Sequence, residues 1–130
     1  MSIMPWQRRD CISIDKYMSL ELPISRAESG WLKDDFAVVL VDSPKLLLYA
    51  IVARAEDGYH SSRQYATPTG VGLNGARAGS PATTKLGALE RAIKKCLDDY
   101  WVTKHEGNRA RLEAALKELD KYKYQQLTLF

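Results

Sequence analysis

Residues 36–54, FAVVLVDSPKLLLYAIVAR, contain two apolar runs separated by a short turn-like stretch. The first run, Phe36–Asp42, is rich in β-branched residues, and the second run is Lys45–Arg54. Two runs of this length joined by Asp42-Ser43-Pro44 predict an antiparallel β-hairpin. Because both runs are almost continuously apolar rather than alternating, we expect central strands or a sheet that is covered on both faces.

The segments on either side of this hairpin extend the predicted sheet. On the N-terminal side, Cys11–Leu22 reads CISIDKYMSLEL, and its weak alternation predicts one short strand. On the C-terminal side, Gly58–Thr67 supplies a third strand, with Asp57-Gly58 as the turn. A glycine-rich loop follows between Gly70 and Gly79.

The second half of the chain has the three- and four-residue apolar spacing of amphipathic helices. Ser80-Pro81 has the composition of a helix start, and a first helix is predicted over Ala82–Lys104. Its apolar stripe consists of Leu86, Leu89, Ala92, Ile93, Cys96, Leu97, Tyr100 and Trp101. Gly107-Asn108 interrupts the pattern, and a second helix is predicted over Asn108–Lys123. Strands followed by a pair of antiparallel helices indicate an α+β fold, with a small antiparallel sheet of three or more strands packed by the helices.

The composition is that of one ordinary globular domain. The chain has 130 residues, of which 45% are hydrophobic and 27% charged, and its formal net charge is +3. This mildly basic balance permits contact with nucleic acid without requiring it. We predict a single α+β domain over residues 1–124 and a C-terminal tail over residues 125–130. The longest apolar run, Leu46–Ala53, is too short to span a bilayer, and no secretory signal is apparent, so we expect a cytoplasmic protein without membrane contact.

The chain carries no pattern that indicates catalysis, a cofactor or a metal. Its two cysteines and two histidines are widely separated and lack the paired spacing of a zinc site. Cys96 falls on the apolar stripe of the first helix, which predicts a buried thiol. Gly70–Gly75 fits the letters GxGxxG, but a polar stretch precedes it and no helix begins at once, so dinucleotide binding is not predicted. We therefore expect a non-enzymatic protein with no catalytic residue.

A basic edge is predicted beside the glycine-rich loop. Arg63, Arg77 and Lys85 are near this loop in the sequence, and Tyr65 offers an aromatic face on which a base can stack. These four residues are the candidate nucleic-acid-binding residues. The alternative is a solvated surface of mixed charge, because acidic residues interrupt the positive face of the first helix.

The last five residues are Gln126-Leu127-Thr128-Leu129-Phe130, which is an apolar end for a segment that is usually polar. They resemble the pentapeptide Gln-Leu-(Ser/Asp)-Leu-Phe with which bacterial replication and repair proteins bind the DNA-replication sliding clamp. Four of the five positions match, and Thr128 stands at the variable position. The resemblance covers these five residues alone.

This resemblance implies a role for each residue of the tail. Leu129 and Phe130 would fill a deep apolar pocket of the clamp, with Leu127 in contact beside it. Gln126 would hydrogen-bond at a second subsite, and Thr128 would face outward. The residues themselves leave an alternative open, because Leu127 and Leu129 alternate with polar residues as in a terminal β-strand.

The tail predicts a small bacterial or phage/plasmid accessory protein that docks on the sliding clamp and recruits or blocks factors at replicating DNA. Two other hypotheses stay open. One is a nucleic-acid-binding domain with a structural tail, whose affinity for DNA falls steeply with salt. The other is a mobile-element inhibitor of a host defence or replication enzyme, which binds a host protein without contacting DNA.

Overall fold

The computed structural model describes residues 11–28, 31, 32, 34–72 and 80–128. Its strands are β1 (Cys11–Ile12), β2 (Ala27–Glu28), β3 (Trp31–Leu32), β4 (Phe36–Asp42), β5 (Leu47–Ala55), β6 (Gly58–Thr67) and β7 (Gly70–Gly72). Five of them form one sheet in the order β1-β4-β5-β6-β7, and β2 pairs with β3 separately. All neighbours in the larger sheet are antiparallel except β1 and β4. The predicted hairpin and third strand are thus confirmed as β4, β5 and β6.

The central strand β5 is buried on both faces. Its first seven residues, Leu47–Ala53, are all buried. Its odd-numbered and even-numbered residues face two different cores because side chains alternate along a strand. Leu48, Ala50 and Val52 belong to the larger core, on the side of the helices. Leu47, Tyr49, Ile51 and Ala53 belong to a smaller core, which Leu32 of β3 joins. The expectation of a sheet covered on both faces is confirmed for this strand.

The helices are α1 (Ile14–Ser19), α2 (Lys85–Leu97), α3 (Tyr100–Thr103) and α4 (Asn108–Thr128). Side chains from all four pack into the larger core. Lys123 Nζ of α4 lies 3.2 Å from Glu90 Oε1 in the first half of α2. At the other end of α4, Asn108 Nδ2 donates to Val102 O, beyond the last residue of α2. The two long helices therefore run antiparallel, and the α+β prediction is confirmed. In the part of the chain that the structure describes, none of these helices is long and apolar enough to cross a membrane.

The first predicted helix is wrong at both ends. Ala82 is extended rather than helical, because its N–H and C=O each pair with Tyr59 across 2.8 Å. The helix begins at Lys85, after Thr84, whose Oγ1 accepts from Gly87 N at 2.9 Å and caps the first turn. It ends at Leu97, and the chain resumes a helical turn only at Tyr100.

The short strand predicted within Cys11–Leu22 is present as Cys11–Ile12, but a helix that was not predicted follows it. Ser13 starts α1 by accepting a hydrogen bond from Lys16 N at 3.1 Å. The local capping signal therefore prevails over the weak alternation of CISIDKYMSLEL. Tyr17 of α1 is fully buried, and its hydroxyl donates to Lys85 O at 2.9 Å, which joins α1 to the start of α2.

Asn108 joins three segments where α4 begins. This side chain is fully buried. Its Nδ2 donates to Lys45 O at 3.2 Å and to Val102 O at 3.0 Å, and its Oδ1 accepts from Arg111 at 2.9 Å. An amide can satisfy both carbonyls and the guanidinium at once because it carries donors and an acceptor.

We predict that Asn108→Ala lowers the free energy of unfolding by roughly 2–3 kcal/mol, because two carbonyls lose their donor inside the protein. Urea denaturation followed by circular dichroism measures the loss. Glu113→Ala, an exposed change on the same helix, is the control and should stay within about 0.5 kcal/mol of the parent. Equal stability of the two variants would contradict this role of Asn108.

Cys96 is a buried free thiol, as its position on the apolar stripe predicted. Burial raises its pKa to about 12, with Arg63 lowering and Asp99 raising the value to smaller extents. The neutral thiol is therefore the stable form in the folded protein. Its contribution to the free energy of unfolding is fully present below the ordinary pKa of a thiol and is lost as the pH rises towards 12.

We predict that Cys96 reacts with a thiol reagent near pH 8 only after unfolding, because its thiolate fraction in the native state is of order 10⁻⁴. The variant Cys11→Ser leaves Cys96 as the only thiol, and absorbance with Ellman's reagent follows it with and without denaturant. Complete labelling of the native variant within seconds would show that Cys96 is accessible.

Candidate functional site

The C-terminal peptide lies at the end of α4. The half-buried Tyr122 donates its hydroxyl hydrogen to Asp15 of α1, and Lys123 pairs with Glu90 of α2. Burial first, and then the neighbouring Asp15 carboxylate, raise the pKa of Tyr122 to about 12, so the phenol stays protonated as a donor. Only Tyr124 and Gln125 separate these contacts from Gln126. Contacts with the body of the protein therefore continue along the helix as far as Lys123, just before the peptide.

The helix continues into the peptide itself. It ends at Thr128 rather than at Lys123, five residues beyond its predicted end. The backbone of Gln126, Leu127 and Thr128 is helical, so the alternative of a β-strand is not found for these three residues. The predicted pocket-filling residues Leu129 and Phe130 lie outside the described residues.

Two members of the predicted basic edge, Arg63 and Tyr65, do lie together on β6. The Arg63 guanidinium is 5.7 Å from the centre of the Tyr65 ring and 2.8 Å from Asp99 Oδ2. The Tyr65 hydroxyl donates to the same carboxylate at 3.4 Å, and burial followed by the charge of Asp99 raises the pKa of this phenol. The side chains of Arg63 and Asp99 are only 22% and 15% exposed. Both predicted residues are thus engaged by the protein's own carboxylate.

Lys85, a third member of the predicted basic edge, binds the end of α1 instead. Its ammonium group donates to Tyr17 O and Leu20 O at the C-terminal end of α1 and lies 4.8 Å from the centre of the Tyr17 ring. Burial lowers the pKa of this amine. The structure therefore does not bring Lys85 to the Arg63–Tyr65 pair, and Arg77 lies outside the described residues.

The break between α2 and α3 exposes two aromatic residues that the sequence placed in a buried stripe. Tyr100 is 70% exposed and Trp101 is 64% exposed. The expectation that they face the core is wrong, because the helix ends before it reaches them. Asp99 Oδ1 accepts a hydrogen bond from Trp101 N at 3.0 Å and so caps α3. The other carboxylate oxygen, Oδ2, binds Arg63. Consecutive aspartates at positions 98 and 99 were the available signal, since aspartate favours caps over helix interiors.

The exposed aromatic pair has a defined geometry. The two ring centres are 6.0 Å apart with planes at 69°, an edge-to-face arrangement. Lys104 Nζ lies 4.5 Å from the centre of the Trp101 ring, a cation–π distance. Val102, the third residue of α3, is fully buried and attaches this turn to the core. This combination holds the aromatic rings at the surface on an anchored helical turn.

A cavity of about 310 Å³ lies where the chain passes from α3 to α4, and it is lined by Lys45, His105, Glu106, Gly107 and Arg111. Arg111 is held by Asn108 Oδ1 and by Glu106 O, at 2.9 and 3.1 Å. His105 Nε2 is 2.9 Å from Thr69 Oγ1, after the end of β6. The described residues of this lining include two permanent cations, one imidazole and a single carboxylate, so the cavity suits an anion.

A second cavity, of about 620 Å³, lies beside the β5–β6 turn and contains a serine, a histidine and an aspartate among its lining residues. His60 is buried, and its Nε2 is 2.8 Å from Asp57 Oδ1. Ser25 Oγ accepts from Asp34 N at 2.9 Å. The serine and the histidine are thus held by different partners. In the described ranges, no group of three metal-ligating side chains comes together.

A scan against protein-family models, a search of curated proteins and a search of solved structures each found no match to this chain.

We predict that Asp99→Ala lowers the free energy of unfolding by about 2–3 kcal/mol, because it removes both the cap of α3 and the partner of Arg63. Asp99→Asn retains an oxygen that can cap α3 and should lose about 1 kcal/mol less. Urea denaturation compares the two variants. Asp98→Ala is the matched exposed control, and identical losses for Asp99→Ala and Asp99→Asn would show that the cap contributes nothing.

Proposed function

We propose that this protein docks on the bacterial DNA-replication sliding clamp through Gln126–Phe130. The observation that carries the proposal is the similarity of this peptide to the clamp-binding form Gln-Leu-(Ser/Asp)-Leu-Phe. The protein would act in the cytoplasm as an accessory factor of bacterial, phage or plasmid origin.

Peptide docking of this kind gains free energy from large apolar side chains that enter a preformed groove, while a polar group sets the register. Leu129 and Phe130 contribute roughly 1.5–3 kcal/mol each when fully buried. Ordering the tail opposes this gain by about 1–2 kcal/mol per residue. Because the ordering cost offsets much of this gain, we expect reversible rather than permanent binding, which suits a tether.

The end of α4 supports such a tether. The last helical turn has carbonyl groups without partners inside the helix and frays at low cost, so Gln126–Thr128 can leave the helix for an extended conformation. Unwinding beyond that point would break the contacts of Tyr122 with Asp15 and of Lys123 with Glu90. The body would therefore remain close to the clamp, where it can bring another factor to DNA or obstruct other users of the same groove.

We predict that the double variant Leu129→Ala and Phe130→Ala binds a purified bacterial clamp at least about 100-fold more weakly than the parent, because both groove-filling side chains are removed. Isothermal titration calorimetry measures the affinity. Thr128→Ala is the matched control, since this residue is expected to face outward, and it should bind like the parent.

The melting temperature separates this proposal from a structural tail. The double variant should melt like the parent if the two side chains serve only the partner. Unchanged clamp binding by the double variant would refute the proposal. A lower melting temperature together with absent clamp binding by the parent would favour the structural tail instead.

A further inference from the structure

We propose that the surface formed by α3 and the adjoining cavity binds single-stranded DNA, with bases stacked on Tyr100 and Trp101 and a backbone phosphate in the cavity. The name α3 surface is used below for Tyr100, Trp101 and Lys104 together with Lys45, His105 and Arg111 of the cavity. This activity goes beyond clamp docking and uses none of the residues of the C-terminal peptide.

The aromatic pair provides the stacking part of this surface. Two large neighbouring side chains that are about two-thirds exposed leave substantial apolar area in water, although α3 is anchored through the buried Val102. Bases of any sequence stack on such rings because every base has a π face. At 6.0 Å and 69° the two rings meet edge to face and are not stacked on each other.

Cations next to these rings provide the complementary charge. Lys104 contacts the Trp101 ring, and His105 follows it directly as a lining residue of the cavity. Arg111 is oriented towards this region by Asn108 Oδ1 and by Glu106 O, and Lys45 is exposed. Among the described residues of the lining, Glu106 is the one carboxylate, so the permanent positive charges exceed the negative ones. An anion such as a phosphodiester therefore fits the charge of the cavity better than a cationic or an uncharged group does.

The same chemistry favours an unpaired strand over a duplex. Stacking on side chains requires bases that are not already stacked between two neighbours, whereas a duplex offers its grooves and backbone. A protein partner would instead seek a deep apolar pocket, whereas charged side chains are prominent in the lining of this cavity. The choice of DNA over RNA depends on the proposed docking at the replication clamp, while the stacking and phosphate contacts stand independently of it.

The test is a titration of fluorescein-labelled oligothymidylate with the full chain, followed by fluorescence anisotropy at several salt concentrations. We expect Tyr100→Ala and Trp101→Ala each to weaken binding by about 5- to 150-fold, as for the loss of one stacked base. Trp101→Phe keeps an aromatic face and should recover most of the affinity of Trp101→Ala.

The cationic part of the surface has its own readout. Lys45→Gln should reduce the slope of log affinity against log salt by about one phosphate contact. Lys121→Gln is the matched control, because Lys121 is an exposed lysine paired with Glu118 and lies thirteen residues beyond the start of α4, about 20 Å along the helix. Its salt slope should equal that of the parent.

Four outcomes would overturn the inference: no binding of the parent at low salt, unchanged binding by Tyr100→Ala and Trp101→Ala, binding of oligouridylate but not of oligothymidylate, or loss of clamp binding instead of DNA binding in the aromatic variants. Equal or weaker binding of oligouridylate supports it. The double variant Leu129→Ala and Phe130→Ala should bind oligothymidylate like the parent, so failure of the clamp proposal and failure of this inference can be told apart.

Discussion

Burial of β5 on both faces is the constraint on which the rest of this structure depends. Its backbone pairs with β4 on one side and with β6 on the other, and Leu47–Ala53 fill two cores at once. A strand in this position cannot lose either cover without exposing apolar side chains to water. The helices must therefore lie on one face, and the smaller core that includes Leu32 must close the other.

Several charged side chains around this core are bound to other groups of the protein. Asp99 binds Arg63, caps α3 and accepts from Tyr65, while Lys85 binds the last carbonyls of α1. Charges that are paired inside a protein are poor sites for a partner, because they must first be released. Among the described residues, Tyr100 and Trp101 of α3 are turned outward and remain open to a partner.

The length of α4 separates the two proposed sites. This helix has 21 residues, so its ends are about 30 Å apart. The α3 surface adjoins its first turn, and the clamp-binding peptide begins in its last turns. A clamp bound at one end and a single strand bound at the other would not compete for the same space. Asn108 at the start, and Tyr122 and Lys123 near the end, attach the helix to the body, so the separation is set by the fold.

Local spacing and composition by themselves determined the α+β class, the β4–β5 hairpin, the third strand and the buried stripe of α2, because periodicity reports directly which side chains leave water. The same periodicity extends the first helix through Tyr100 and Trp101, because apolar spacing does not report the cap that Asp99 forms; the bond of Asp99 to the distant Arg63 appears only in the tertiary structure. Reasoning from the sequence likewise placed Arg63, Tyr65 and Lys85 on one basic edge, although their partners Asp99 and Tyr17 lie on other elements. The hypothesis of clamp docking needs no contact between distant segments, because it rests on five consecutive residues, Gln126–Phe130. The exposure of the aromatic pair and the position of the cationic cavity follow only from the tertiary structure. Contacts between distant segments determine which face of a short helix remains in water.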